Sequence, residues 1–149
     1  MKKSTCIAEI QISYVPAIAE KPIITGSVDA FAALEPFFPK NTIALQEQFV
    51  CMYLNRANRV LGVFPVSIGG ISSTVADVRL ILSVALKTAA GSIILAHNHP
   101  SGNLEPSVQD KYLTERIKNA ADLIEVSVQD HLVLAPNRKY FSFSDEGLL

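Results

Sequence analysis

The sequence predicts an α/β fold of three layers, a mixed β-sheet flanked by helices. Three observations carry this prediction. Ser92–His97, "SIILAH", is a short and almost wholly apolar run, the pattern of a central strand covered on both faces. An amphipathic stretch stands on each side of it in the chain, Ser72–Gly91 and Ser107–Ile124. Two further stretches, Glu47–Gly70 and Val126–Phe143, read as hairpins. Strands alternating with helices, plus hairpins, build a sheet with helices packed on its faces.

The elements follow in order. "CIAEIQISYVP" alternates apolar and polar residues, which predicts a half-buried strand closed by Pro16. "AIAEKPIITGS" reads as a linker, so residues 1–26 form an N-terminal strand and linker extension and 27–149 the main domain. Ser27 is placed to cap a helix over "VDAFAALEPFF", limited by Pro36. In the first hairpin the turn falls on Asn55–Asn58, and Gly69–Gly70 breaks the second strand. The next helix takes Ser73 or Thr74 as its cap, Asp77 in its first turn and Lys87 near its end, with Gly91 stopping it. Val78, Ile81, Leu82 and Ala85 mark its buried stripe. After "SIILAH" comes a Gly/Pro-rich loop, then the second amphipathic helix, then a hairpin turning at Pro136–Asn137.

Composition narrows the function. The chain has 149 residues, of which 49% are hydrophobic and 18% charged, enough for one domain with a full core and incompatible with wholesale disorder. The net charge of −1 offers no basic excess for sequence-independent phosphate binding, so no strong DNA binding is expected. Cys6 and Cys51 form no Cys-x-x-Cys pair, which argues against a zinc knuckle, and nothing calls for a disulfide. The N-terminus turns polar at Glu9 and Gln11, and Val78–Ala90 is broken by Arg79, Ser83 and Lys87. Neither pattern suits a signal peptide or a membrane span, so a soluble, cytoplasmic protein is expected.

The chemistry concentrates where the apolar run ends. Two of the three histidines, His97 and His99, stand one residue apart, followed by Asp110. Alternate residues of a strand share a face, with Cα atoms roughly 6.5 Å apart, so both imidazoles can tilt onto one ion. Pro100 and Gly102 turn the chain and let Asp110 fold back from the following helix. Two imidazoles and one carboxylate leave a fourth position on Zn²⁺ for water, the pattern of catalytic zinc. Such a site needs a proton acceptor nearby. Glu47, in line with Phe49 and Cys51 at the head of a core-like strand, is the candidate, and Glu105 in the loop is its rival.

These residues carry a resemblance. Glu47 followed by "HNHPSGNLEPSVQD" resembles the JAMM metalloenzyme signature of JAB/MPN domains: Glu, a distant His-x-His-Pro, then Ser-x-x-Asp with ten residues between the second His and the Asp. "HNHPSG", "PSVQD", "DHLVL", "YFSF" and "EGLL" are similar, more narrowly, to the bacterial RadC-like branch, from about residue 27 to the C-terminus. The resemblance implies the MPN/JAB fold, which is cytidine-deaminase-like, and one zinc per chain. It implies His97, His99 and Asp110 as zinc ligands, Glu47 as general acid/base and Ser107 as stabiliser of the oxyanion. It further implies cleavage of a peptide or isopeptide bond, with a peptide or protein conjugate as substrate. Full-length RadC proteins carry a helix-hairpin-helix segment ahead of this domain. No Gly-rich helical hairpin stands there in this chain, so DNA association through it is not carried over.

Other readings stay open at the level of sequence. Ser107-x-x-Asp110 is also what a capped helix start looks like. Glu47 can be a solvated strand-end charge. His131, beside Asp130 in a strand far from the motif, reads as a hydrogen-bonded structural histidine. A DNA-repair accessory role and an inactive MPN interaction module are the alternative functions. The charge balance opposes the first and the intact ligand set the second.

Overall fold

A computed structural model describes residues 8–11, 13–17, 19–70 and 75–149. Among these residues five strands form one mixed sheet: β1 (Gln48–Leu54), β2 (Val60–Ile68), β3 (Ser92–Asn98), β4 (Ser127–Leu134) and β5 (Tyr140–Ser142). Their order across the sheet is β2-β1-β3-β4-β5. Three α-helices flank it: α1 (Ser27–Leu34), α2 (Val78–Thr88) and α3 (Val108–Asp122). The three-layer α/β architecture expected from the sequence is the one observed.

Pairing follows connection length. β1 and β2 are antiparallel and joined by a short turn, in which the Asn55 Oδ1 accepts from the N–H groups of Ala57 (2.9 Å) and Arg59 (3.0 Å). Asn58 takes φ 55°, the left-handed region asparagine tolerates. β3 and β4 are parallel, so the chain must cross over between them, and α3 is that crossover. β4 and β5 pair antiparallel around the Pro136–Asn137 turn.

β3 is buried along its whole length because α1 covers one face of the sheet and α2 with α3 the other. Val50, Met52, Leu54, Ile94 and Ala96 pack under α1. Phe49, Cys51, Tyr53, Ile93 and Leu95 pack against Ile81 and Ala85 of α2 and Ile117 and Ala121 of α3. Ile81 and Ile117 are fully buried, and truncating either to alanine should cost about 2–5 kcal/mol. In the β1–β3 ladder Phe49 pairs with His97. The period of two thus sets His97 on the α2/α3 face and Asn98 on the α1 face.

Several local expectations are corrected. Residues 8–11 and 13–17 form no strand, and the rest of the expected N-terminal strand lies outside the described residues. Alternation supplies a face for a strand but not a partner. The segment instead touches the edge of the sheet, where the Tyr14 hydroxyl donates to the Leu61 carbonyl at 2.8 Å and Ile23 bridges Arg59. The N-cap of α1 is Gly26, not Ser27. The Ser27 hydroxyl is used elsewhere, donating to Asp145 Oδ2 at 2.6 Å and lying 3.0 Å from the Tyr140 hydroxyl.

Ser73 and Thr74 lie outside the described residues, and the cap of α2 is Asp77, which accepts from the Arg79 N–H at 2.9 Å. Aspartate caps a helix as well as serine does, so the residue expected in the first turn stands at the cap instead. At the other end of α2 the left-handed residue is Ala89 (φ 53°), two positions before the expected stop. Gly91 has a different use: a Cβ there would stand 3.0 Å from Cγ of Arg56.

Candidate metal centre

Three elements build the site. His97 lies near the end of β3, and His99 follows the strand directly, its N–H donating to the Leu134 carbonyl at 2.9 Å. That bond keeps the β4 register one residue beyond β3, so His99 stays on the face of His97. Gly102, with φ 83°, then reverses the chain, its N–H donating to the His99 carbonyl at 3.0 Å. The returning segment starts α3 with a capping box. Ser107 Oγ accepts from the Asp110 N–H at 3.0 Å, and Asp110 Oδ2 accepts from the Ser107 N–H at 2.7 Å. The box locks the Asp110 carboxylate over the strand end.

The side chains converge. His97 Nε2 and His99 Nε2 are 3.0 Å apart. Asp110 Oδ1 is 3.3 Å from the first and Asp110 Oδ2 3.3 Å from the second. Glu47, immediately before β1, completes a group whose ligand atoms all lie within 4.8 Å of one another. Glu105 is exposed and outside that group; its N–H donates to Asn103 Oδ1. Of the candidate residues, the structure therefore brings together Glu47, His97, His99 and Asp110, with Ser107 one capping bond away.

Donor chemistry fits a metal ion. His99 Nδ1 lies 2.6 Å from the Asn103 carbonyl, which can only accept, so the proton of a neutral His99 sits on Nδ1. Its Nε2 then offers a lone pair to the centre. Donors about 2.0–2.1 Å from a tetrahedral zinc stand roughly 3.3 Å from one another, close to the separations seen here. The outward nitrogen of each imidazole is hydrogen-bonded, as ligating histidines require.

Burial and charge act together. Desolvation alone would raise the Asp110 pKa, but the His97 and His99 rings, in their protonated forms, donate to the carboxylate, overcome that and hold the carboxyl below its ordinary range. The same bond, made by the Nε2–H of protonated His99 to Asp110, raises the His99 pKa. Glu47 is pushed up, chiefly by desolvation, against the attraction of His97 and His99.

Two residues enter the site that sequence reasoning did not place there. His131 is not distant from the motif: its Nε2 lies 2.8 Å from His97 Nδ1. It is fully buried between Phe49 and Phe143, and desolvation lowers its pKa well below the ordinary histidine value. Parallel pairing of β3 with β4 closes a gap of 34 residues, and no local pattern signals that. Asn98, also fully buried, points to the other face. Its amide donates to the carbonyls of Ile43 (2.7 Å) and Gln46 (2.8 Å) and accepts from the Gln48 N–H (2.7 Å). These bonds hold the chain on both sides of Glu47. The central letter of "HNH" was the available signal.

A three-layer α/β sandwich with this His, His, Asp and Glu cluster defines a JAB/MPN-type domain with a possible metal site. The chain belongs to the family of the RadC-like JAB domain, whose profile matches residues 24–148. It is 42% identical over 125 residues to a UPF0758 protein of Flavobacterium johnsoniae, covering 84% of this chain and 53% of that relative. A UPF0758 protein of Porphyromonas gingivalis is 41% identical over 151 aligned positions, covering 99% of this chain and 65% of the relative. The UPF0758 protein YfjY of Escherichia coli is 40% identical over 104 residues, 70% of this chain and 64% of its own length. The chain thus spans between about half and two thirds of the length of these relatives. No described helix is long and apolar enough to cross a membrane.

Proposed function

We propose that this domain is a zinc-dependent hydrolase that cleaves a peptide or isopeptide bond. The observation that carries the reading is the convergence of two imidazole nitrogens and a carboxylate, with a second carboxylate in the same group. His97, His99 and Asp110 would hold the ion. Imidazole and carboxylate donors suit Zn²⁺ better than the all-oxygen sites of Mg²⁺ or Ca²⁺. Bound zinc would supply Lewis acidity, bringing the pKa of water toward about 7 and polarising the scissile carbonyl.

The chain's own groups do the rest. Glu47 takes the proton from the attacking water and hands it to the leaving amine nitrogen. A carboxyl raised by burial suits both halves of that transfer near neutral pH. Ser107 Oγ uses a lone pair for the Asp110 N–H. Its hydroxyl proton is left to donate to the oxygen that gains charge as the amide carbonyl becomes tetrahedral. Cap and oxyanion roles are thus compatible in one hydroxyl. The walls of Phe49 and Phe143 lower the local dielectric and strengthen each of these interactions.

The test separates ligand from base. Protein prepared without chelator or metal-affinity resin should carry one zinc per chain, and His99→Ala should carry none. Glu47→Gln should keep its zinc and lose about 10²–10⁴-fold in turnover, on a substrate found from a panel of peptides and isopeptide conjugates. Equal zinc in native protein and His99→Ala would overturn the ligand assignment. Native turnover in Glu47→Gln would overturn the base.

A further inference from the structure

Behind His97 runs a chain of hydrogen bonds that ends on the backbone of Asp110. Its direction can be read because one end is a carbonyl. Thr114 Oγ1 lies 2.6 Å from the Asp110 carbonyl oxygen, which accepts only, so the single hydroxyl proton of Thr114 is committed there. The same Oγ1 is 2.6 Å from His131 Nδ1, and with its proton spent it must accept. His131 therefore carries its proton on Nδ1. Its Nε2 then bears a lone pair, 2.8 Å from His97 Nδ1, so His97 is the donor in that bond. His97 is left with a bare Nε2, turned toward His99 and Asp110.

We propose that Thr114 and His131 are positioning residues that set the tautomer of His97, so that its Nε2 lone pair is presented to the centre before any ion arrives. The inference rests on the reading of His97 as a metal ligand. The relay closes on itself: its anchor is the carbonyl of Asp110, whose carboxylate stands on the other side of the same site. Helix α3 supplies both, four residues apart, because Thr114 lies one turn after Asp110 on the same helix face. All three members are enclosed: His97 is 1% exposed, His131 0% and Thr114 2%. Burial of all three keeps bulk water from substituting for a lost link. Without the relay, a neutral His97 could equally protonate Nε2, pointing a proton at the centre and leaving Nδ1 toward β4.

The experiment begins with the native protein. Nitrogen-15 spectra of its imidazole rings, on chelator-treated protein about two units above the ordinary histidine pKa of about 6.5, report which nitrogen holds the proton. The expected result is His97 and His131 both protonated at Nδ1. His97 protonated at Nε2 would overturn the proposal, whatever the metal reading's fate.

Thr114→Val keeps the shape and removes the acceptor, and Thr114→Ser restores it. The valine variant should show a mixed His97 tautomer and a zinc affinity about 10–100-fold weaker. The serine variant should recover both. A folded valine variant with native spectrum and native affinity would also overturn the proposal. If the valine variant does not fold, the native spectrum and the serine variant decide. Failure of the native chain to bind zinc at all would strike the metal reading alone and leave the tautomer result standing.

Discussion

Asn98 Oδ1 accepts the Gln48 N–H at 2.7 Å, and this bond ties the strand carrying both histidines to the residue next to Glu47. Together with the bonds to Ile43 and Gln46, it couples the two halves of the site across the sheet.

Asn98→Ala removes all three contacts and leaves part-buried backbone groups unpaired. Each such group costs about 1–3 kcal/mol, so a clear drop in denaturant midpoint is expected. Zinc content should persist, since His97 lies in β3 and His99 is held by its own bond to the Leu134 carbonyl. Turnover should fall with Glu47 released from its position. A variant that loses zinc before it loses stability would contradict this division of labour.

Proton and metal compete for His99. The hydrogen bond to Asp110 raises its pKa above the ordinary value of about 6.5, and a proton on Nε2 fills the lone pair an ion would use. Lowering the pH through that raised value therefore weakens binding, and raising the pH restores it. Apparent zinc affinity should fall roughly tenfold per pH unit for each proton displaced, beginning above about pH 6.5. Chelator-competition titrations across that range measure it. A midpoint below the ordinary histidine value would count against the Asp110–His99 coupling.

Desolvation raises Glu47, so the base is ionised only above a value higher than the usual glutamate figure of about 4.3. In chelator-treated protein the Glu47 carboxyl, followed by carbon-13 NMR, should titrate with its midpoint above that figure. Glu47→Gln should lack that titrating resonance. A midpoint at or below about 4.3 would rule out the effect of burial.

Ser107→Ala removes the cap of α3, at a cost of about 1 kcal/mol, and Ser107→Asn should recover most of it. If the hydroxyl also donates to the oxyanion, turnover falls in the alanine variant and stays low in the asparagine variant. Thermal melts and kinetics on the same pair separate the two roles.

With a net charge of −1, this chain offers no basic excess to duplex DNA, and weak binding is expected. Binding at physiological salt should be no tighter than about 10⁻⁴–10⁻⁶ M, the nonspecific range. Nanomolar, weakly salt-dependent anisotropy changes would revive the repair reading.

Much of this was legible in the chain because it is local. The apolar run Ile93–Ala96, the stripe Val78, Ile81 and Ala85, and the Ser107-x-x-Asp110 box are periodic or short-range, and backbone sterics act within a few residues. His97 and His99 share a face for the same reason. Pairing between strands is not local, and that is where inference from sequence ran out. Glu47 was the candidate base and Glu105 its rival, and the letters alone did not exclude the second. The β1–β3 register, which sets Phe49 against His97, brings the first to the site, while Glu105 stays exposed in its loop. His131 reached His97 only through the parallel β3–β4 ladder, and Asn98 gained its role only once the 43–48 segment lay beside β3. The alternation over 6–16 predicted a strand that the described residues 8–11 and 13–17 do not form. Periodicity specifies which side of an element is apolar, but which element meets that side depends on the packing of all the others.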